Sequence, residues 1–330
     1  MKYFATLGPN FSTVDKLKKA NEMGITGLRL NLSHGYLEDR MDWVKNVKEA
    51  NKLSTKPFGS LELILDIQGS EIRIKTLNTI SKEKGQEITI KSLINSDMEN
   101  GIVYVDNIFI KNTKVGDIIH IDDGKVEATV VRVTHDSINA IISENCNLLT
   151  NKSISLQDKY IQVESINPDD IENIKLAKVL GIRNFMIPFV RSMDDLLRLR
   201  HLFSSLDFDN YTLYSKIEDQ IGIDNIDEII EHSDVVVIAR GDLGNNLGLL
   251  SVPKQQKYIA KKCREKNREF MIVTQLLNSM IENPVPTRAE INDIYNSKLD
   301  GAQMLMITAE TAVGKYPLKA CYYLIEASNI

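Results

Sequence analysis

Short apolar runs alternate with helical stretches eight times along this chain, and that rhythm limits its fold more than any other feature. The runs are residues 3–7, 26–31, 61–66, 184–190, 211–217, 234–239, 270–273 and 303–307. Helical periodicity follows each of them, over 14–23, 38–52, 169–181, 193–205, 223–232, 253–266, 287–298 and 317–328. Between the third and fourth runs the rhythm breaks. From about 77 to 157 the chain carries short segments of period-two alternation, such as 86–90, 101–105, 117–121 and 126–131, with turn signals like Asp122-Asp123-Gly124 between them. Alternation with frequent turns marks a small all-β domain. The prediction is a (β/α)8 TIM barrel with an all-β lid domain inserted after the third strand. The expected division is 1–76 with 158–330 for the barrel and 77–157 for an inserted β-barrel.

Reactive groups in such barrels gather where the strands end, on the C-terminal face. Here that face is expected to collect Arg29, Asn31, Ser33, Asp66, Arg73, Lys216, Glu218, Asp242, Thr274 and Thr308. Each alone would pass for a polar loop residue. Two consecutive strand ends are more specific: Lys216 and Glu218 close one, Arg240 and Asp242 the next. Two carboxylates with a lysine between them suit a hard divalent cation beside an anionic substrate. Mg²⁺ takes one or two protein carboxylates and fills its shell from water and substrate oxygens. Arg29, Arg73 and Lys216 would hold phosphate or carboxylate oxygens. Gly241 would let backbone N–H groups approach a carboxylate. Asp242-Leu243-Gly244 would open a turn or short helix whose N-terminal end favours an anion. Asn31, Ser33 and Asp66 offer oxygens with one negative charge, a set suited to K⁺ or Na⁺. No nucleophilic serine–histidine pair is evident. The chemistry that depends most on positioning and charge neutralisation is phosphoryl transfer.

Bulk properties remove other classes. A net charge of −5 weighs against nucleic-acid binding. The opening residues show no charged-then-apolar pattern, so no leader is expected, and no apolar run is long enough to span a bilayer. Cys146, Cys263 and Cys321 share no metal-ligand spacing and read as reduced thiols of a cytoplasmic protein. The five histidines are scattered, which argues against a zinc site.

The chain resembles pyruvate kinase from Tyr3 to its end. The motifs are Ala5-Thr-Leu-Gly-Pro9, Arg29-Leu-Asn-Leu-Ser-His-Gly35, Leu65-Asp-Ile-Gln-Gly-Ser-Glu-Ile-Arg73, Asp122-Asp-Gly124, Phe189-Val-Arg-Ser192, Lys216-Ile-Glu218, Ala239-Arg-Gly-Asp-Leu-Gly244, Thr274-Gln-Leu-Leu-Asn-Ser-Met280, Pro286-Thr-Arg-Ala-Glu290 and Glu310-Thr-Ala-Val-Gly-Lys-Tyr-Pro317. The resemblance implies conversion of phosphoenolpyruvate and ADP to pyruvate and ATP, with Mg²⁺ (or Mn²⁺) and K⁺. It implies Glu218 and Asp242 for the divalent ion, and Asn31, Ser33, Asp66 and the carbonyl of Ile67 for K⁺. Glu71 matches the acidic residue of K⁺-requiring members. Lys216 would stabilise the transferring phosphoryl group and the enolate oxygen, and Arg29 would touch phosphate. Thr274 would sit where the enolate is protonated. The Gly241 and Asp242 amides would hold the substrate carboxylate. Arg29, His34 and Arg73 would face the nucleotide, with Asp123 and Lys152 as lid residues.

The sequence also departs from the family pattern. It ends at Ile330, after the eighth helix, so the usual C-terminal domain and its sugar-phosphate activation are expected to be absent. A homodimer through the barrel is compatible with the rest. Ile67 stands for the usual Thr, Ser70 for Pro, Pro188 for Ser, Asn246 for Glu, and Thr308-Ala309 for Ser-Gly. Other readings stay open: a paralogue acting on another enol phosphate or acceptor, an aldolase-like enolate enzyme, or a non-catalytic metabolite-binding relative.

Overall fold

Eight parallel strands close into a barrel in the order β1-β8-β7-β6-β5-β4-β3-β2. They are β1 (Lys2–Thr6), β2 (Ile25–Asn31), β3 (Glu62–Asp66), β4 (Asn184–Ile187), β5 (Thr212–Ile217), β6 (Val235–Ala239), β7 (Phe270–Val273) and β8 (Met304–Ile307). The structure, a computed structural model, describes residues 1–55, 59–69, 71–94, 97–122, 124–157, 159, 161 and 166–330; the His34 side chain is outside the described set. Two compact units result, 1–69 with 165–330, and 70–164. No helix among the described residues is long and apolar enough to cross a membrane.

Period-two alternation decides what each barrel strand contributes. Phe4, Ile64, Met186, Tyr214, Val235, Val237, Ala239, Met271, Val273, Met304 and Met306 fill the lumen. Their alternating neighbours, among them Leu65, Phe185, Leu213, Val236, Ile238, Phe270, Ile272, Leu305 and Ile307, are buried beneath the helices. Successive side chains point to opposite faces of a strand, so a strand buried on both faces reads as an unbroken apolar run. Each such side chain contributes about 1.5–3 kcal/mol when fully buried. Glycine is required at Gly27, since a Cβ there would lie 1.9 Å from the Phe4 ring.

The surrounding helices start where the sequence supplies caps. Pro168 opens α3 (Pro168–Leu180) behind Asn167, whose side chain accepts the Asp170 N–H, and Gly181 closes it at φ 76°. Reciprocal capping boxes open α4 (Met193–Ser205) at Ser192 and Asp195, and α7 (Arg288–Leu299) at Thr287 and Glu290. The other outer helices are α1 (Val14–Met23), α2 (Met41–Leu53), α5 (Ile226–His232), α6 (Val252–Glu265) and α8 (Pro317–Asn329).

Three local expectations change. β4 stops at Ile187, not 190, because Pro188 has no N–H for the ladder and Phe189 turns to φ 48°. The stretch at 223–232 is two helices, Gln220–Asp224 and Ile226–His232, broken at Asn225, whose amide donates to the Arg191 carbonyl at 2.8 Å. The helix expected to open at Asp242 already begins at Arg240 and runs to Leu247.

The unit inserted after β3 has its own core, including Ile88, Ile90, Val103, Phe109, Ile119, Val130, Ile138 and Ile154. A six-stranded sheet runs in the order 154–156, 118–121, 126–133, 137–142, 87–92, 102–105, and a separate pair joins 80–82 to 146–148. One short helix, Asn107–Asn112, interrupts the strands behind its Asp106 cap.

Candidate active site

Strand parity delivers the central lysine. Tyr214 faces the lumen, so Lys216, two residues further along β5, faces the same way at the strand's C-terminal end. Asp66 lies two residues beyond the lumen residue Ile64 on β3. Arg29 pairs in register with Ile64, and Asn31 with Asp66. These side chains meet: Lys216 Nζ lies 3.2 Å from Asp66 Oδ1 and 3.0 Å from Glu218 Oε1. Arg29 grips Asp66 Oδ2 through Nε at 2.8 Å and Nη2 at 2.6 Å. Asp66 and Glu218 are almost wholly buried, at 1% exposure each.

Burial and charge act against each other here. Burial alone would lower the Lys216 pKa, but Asp66, Glu218 and Asp242 outweigh it and hold the ammonium above its ordinary value. Burial would raise Asp66, yet Lys216 and Arg29 keep it below the usual carboxylate range. For Glu218 burial wins over Lys216, the Asp242 charge adds to it, and the carboxyl is pushed up to about 8. The Glu218 group is fixed from two sides: Oε2 accepts the Phe189 N–H at 2.8 Å, and the backbone carbonyl accepts the Asn246 amide at 2.9 Å.

The fit to a cation can be judged from the acceptors. Among the described residues, Glu218 Oε1 and Asp66 Oδ1 are buried and accept no hydrogen bond, facing the Lys216 ammonium. Asp242 lies in the first turn of helix Arg240–Leu247, a third carboxylate within Coulombic reach of Lys216. Among the described residues no group of three or more His, Cys, Asp or Glu gathers as a ready-made metal cage. Oxygen-only acceptors of this kind fit Mg²⁺ or Mn²⁺ completed by substrate and water.

Thr274 follows β7, and its Oγ1 accepts the Gly241 N–H at 2.7 Å. The Gly241 amide therefore faces this hydroxyl. A Cβ at Gly241 would sit 3.4 Å from the same oxygen. Thr274 and Gln275 both adopt the left-handed region, at φ 70° and 54°. Such a backbone costs on the order of 1–3 kcal/mol per residue and persists only where its surroundings enforce it.

Asn31 caps the 3-10 turn Leu32–His34, its side chain accepting the Ser33 N–H at 3.1 Å. Ile67 is buried, and its N–H donates to the Met186 carbonyl. The segment after it is pinned by Asp170, whose carboxylate accepts the Gln68 and Gly69 N–H groups at 2.9 and 2.8 Å. Burial pushes the Asp170 carboxyl up to about 6 against those two bonds. Gly69, at φ 67°, lies so close to Pro188 that a Cβ would come within 2.3 Å of the proline ring. Thr308 turns its N–H to Glu310 Oε2 at 2.6 Å.

In the inserted unit Lys152 pairs with Asp122 at 2.7 Å, and Arg73 pairs with Glu71 and donates to the Asn151 carbonyl. Asp123 and the His34 side chain lie outside the described residues. The expected residues Lys216, Glu218, Asp66 and Arg29 thus form one cluster, and Thr274 joins Gly241. Phe189, Asn246, Asp170 and Arg240 hold these groups; the sequence singles out Arg240 at a strand end and Asn246 as a departure from the family pattern, but not these contacts. Only the Pro188-Phe189 strand stop signals the first of them.

The family model for the pyruvate kinase barrel domain matches residues 1–321. The chain belongs to the pyruvate kinase family. It is 32% identical to a pyruvate kinase of Thermotoga maritima over 330 residues, 99% of this chain and 70% of that protein. It is 33% identical to a pyruvate kinase of Bacillus licheniformis over 324 residues, 97% of this chain and 55% of that one. The crystal structure of a pyruvate kinase from Cryptosporidium parvum superposes with a TM-score of 0.86 at 28% identity, covering 99% of this chain and 68% of that one. The chain thus spans just over half to about two thirds of the length of these pyruvate kinases. Family membership and the (β/α)8 barrel with its inserted all-β unit rest on these likenesses and on the topology together.

Proposed function

We propose that this chain transfers the phosphoryl group of phosphoenolpyruvate to ADP, giving pyruvate and ATP. The observation that carries the reading is the Lys216 ammonium, held charged between Asp66 and Glu218 at the mouth of the barrel. In a loose phosphoryl transfer catalysis is mostly positioning and charge neutralisation. Lys216 would neutralise charge on the transferring group and then on the enolate oxygen. Arg29 would hold phosphate, and Thr274 would sit where the enolate is protonated, passing on a proton taken from water. Glu218 and Asp242 would hold Mg²⁺ or Mn²⁺, which when bound neutralises substrate oxygens. Asn31, Ser33, Asp66 and the Ile67 carbonyl would hold K⁺. The Gly241 and Asp242 amides would receive the substrate carboxylate, which requires Thr274 to yield the Gly241 N–H. Arg29, His34, Arg73, Asp123 and Lys152 would serve the nucleotide.

The test is pyruvate formation from phosphoenolpyruvate and ADP with Mg²⁺, with and without K⁺. Binding of phosphoenolpyruvate without turnover would favour a paralogue using another enol phosphate or acceptor. Pro188, packed against Gly69 with no hydroxyl to offer, is the feature that favours that second reading. Absence of binding would favour a non-catalytic relative.

Metal binding should depend on pH with a definite sign. Glu218 must lose its proton to hold a cation, and its metal-free carboxyl is pushed up to about 8. Below that pH binding displaces one proton, so Mn²⁺ affinity should fall about tenfold per pH unit. Calorimetric titration from pH 8 to 6 should show this fall with proton release. A flat affinity over that range would mean that no proton leaves Glu218 when the cation binds.

A further inference from the structure

We propose that Arg240 is a positioning residue for Thr274, fixing that hydroxyl through a clamp anchored on Asp293 of α7. For its catalytic consequence the inference rests on the function proposed above. The Arg240 side chain is only 7% exposed, and its guanidinium spends its donors on three elements. Nε and Nη2 donate to the Thr274 carbonyl at 3.2 and 2.7 Å. Nη1 donates to both Asp293 carboxylate oxygens at 2.9 and 2.7 Å, and reaches Gln256 Oε1 on α6 at 3.4 Å. The planar fork of arginine makes such a multiple grip possible, and a lysine ammonium has no equivalent geometry.

What the fork holds is strained. Thr274 is β-branched and sits at φ 70°, with Gln275 at φ 54° directly after it. A branched residue in the left-handed region is a true outlier and persists only where neighbours enforce it. Arg240 on the carbonyl enforces it whether or not substrate is bound, and in the unliganded chain the Gly241 N–H on Oγ1 adds a second contact. Arg240 and Gly241 are consecutive in the first turn of one helix, so a single rigid element sets both ends of Thr274. Among the described residues the Thr274 hydroxyl has no acceptor for its own proton, which leaves that proton available to a bound molecule. Letting go of the carbonyl would allow residues 274 and 275 to relax toward extended backbone and would swing the hydroxyl out of register.

Gln275 makes the clamp separable from a mere strut. Its side chain is exposed, and glycine adopts positive φ without a Cβ penalty. The experiment compares the full chain with Arg240→Lys, Gln275→Gly and the double variant. The readouts are pyruvate formation from phosphoenolpyruvate and ADP with Mg²⁺, and thermal unfolding. Expected results are a kcat at least tenfold lower in Arg240→Lys with KM for phosphoenolpyruvate within twofold, and near-normal rates in Gln275→Gly. The double variant should regain at least threefold of the lost kcat, and Gln275→Gly should raise Tm more in the Arg240→Lys background than in the unaltered chain. A kcat for Arg240→Lys within twofold of the unaltered chain, or no rescue in either rate or Tm, overturns the inference. If the unaltered chain makes no pyruvate, the proposed function fails and the Tm coupling alone decides the clamp. If Arg240→Lys does not fold, Asp293→Asn takes its place in the same cycle with the same criteria.

Discussion

Lys216→Ala should lower turnover by about three orders of magnitude or more while leaving the barrel folded. Removing one preorganised donor from a reaction centre costs roughly 10²–10³ in rate, and removing a cation from a phosphoryl transfer about 10³–10⁵. Lys216 also neutralises the buried Asp66 carboxylate and lies against the Glu218 carboxyl, so the substitution has a structural cost. Breaking a buried ion pair costs about 3–5 kcal/mol when it strands a charge. Two features reduce that here: Arg29 still grips Asp66, and Glu218, pushed up to about 8, is largely protonated at neutral pH and strands no charge. Steady-state kinetics beside urea unfolding would separate the effects. Turnover near that of the unaltered chain would exclude Lys216 from the chemistry.

Glu218→Gln should abolish most divalent-cation binding, with turnover falling at least about a hundredfold. The amide has the carboxylate's shape without its charge, and hard cations bind through charged oxygen ligands. It also carries one oxygen where Glu218 uses two, Oε2 for the Phe189 N–H and Oε1 for the Lys216 ammonium. One donor must therefore face another donor, and a buried mismatch of this kind costs about 1–3 kcal/mol. Mn²⁺ titration reports the binding loss directly. Unchanged Mn²⁺ affinity in the variant would place the cation elsewhere.

The barrel was legible because its strands are buried on both faces. Val235 to Ala239 shows this: every residue is buried, alternately to the lumen and to the helices, which leaves an unbroken apolar run in the sequence. The same parity brings Arg29, Asp66 and Lys216 to one end of the lumen, so their convergence could be inferred from strand ends alone. What could not be inferred depends on backbone conformation and on contacts between distant segments. The Phe189 N–H reaches Glu218 only because Pro188 ends β4 early and Phe189 turns left-handed. Asp170 reaches residues 68 and 69 across about a hundred positions of sequence, and Arg240 reaches Asp293 across more than fifty. Neither carboxylate lies in a motif whose spacing announces such a role. The Thr274 hydroxyl was expected at the site, but its partner, the Gly241 amide, was expected to face substrate.

The most direct test of the central claim is the stoichiometry of the two products. The chain, given phosphoenolpyruvate, ADP and Mg²⁺, should form ATP and pyruvate in equal amounts, followed by phosphorus NMR for ATP and a lactate dehydrogenase couple for pyruvate. Equal formation of both, lost together in Lys216→Ala, is the result expected of phosphoryl transfer at this site. Pyruvate appearing with inorganic phosphate and no ATP, or neither product from a chain that binds both substrates, would contradict it.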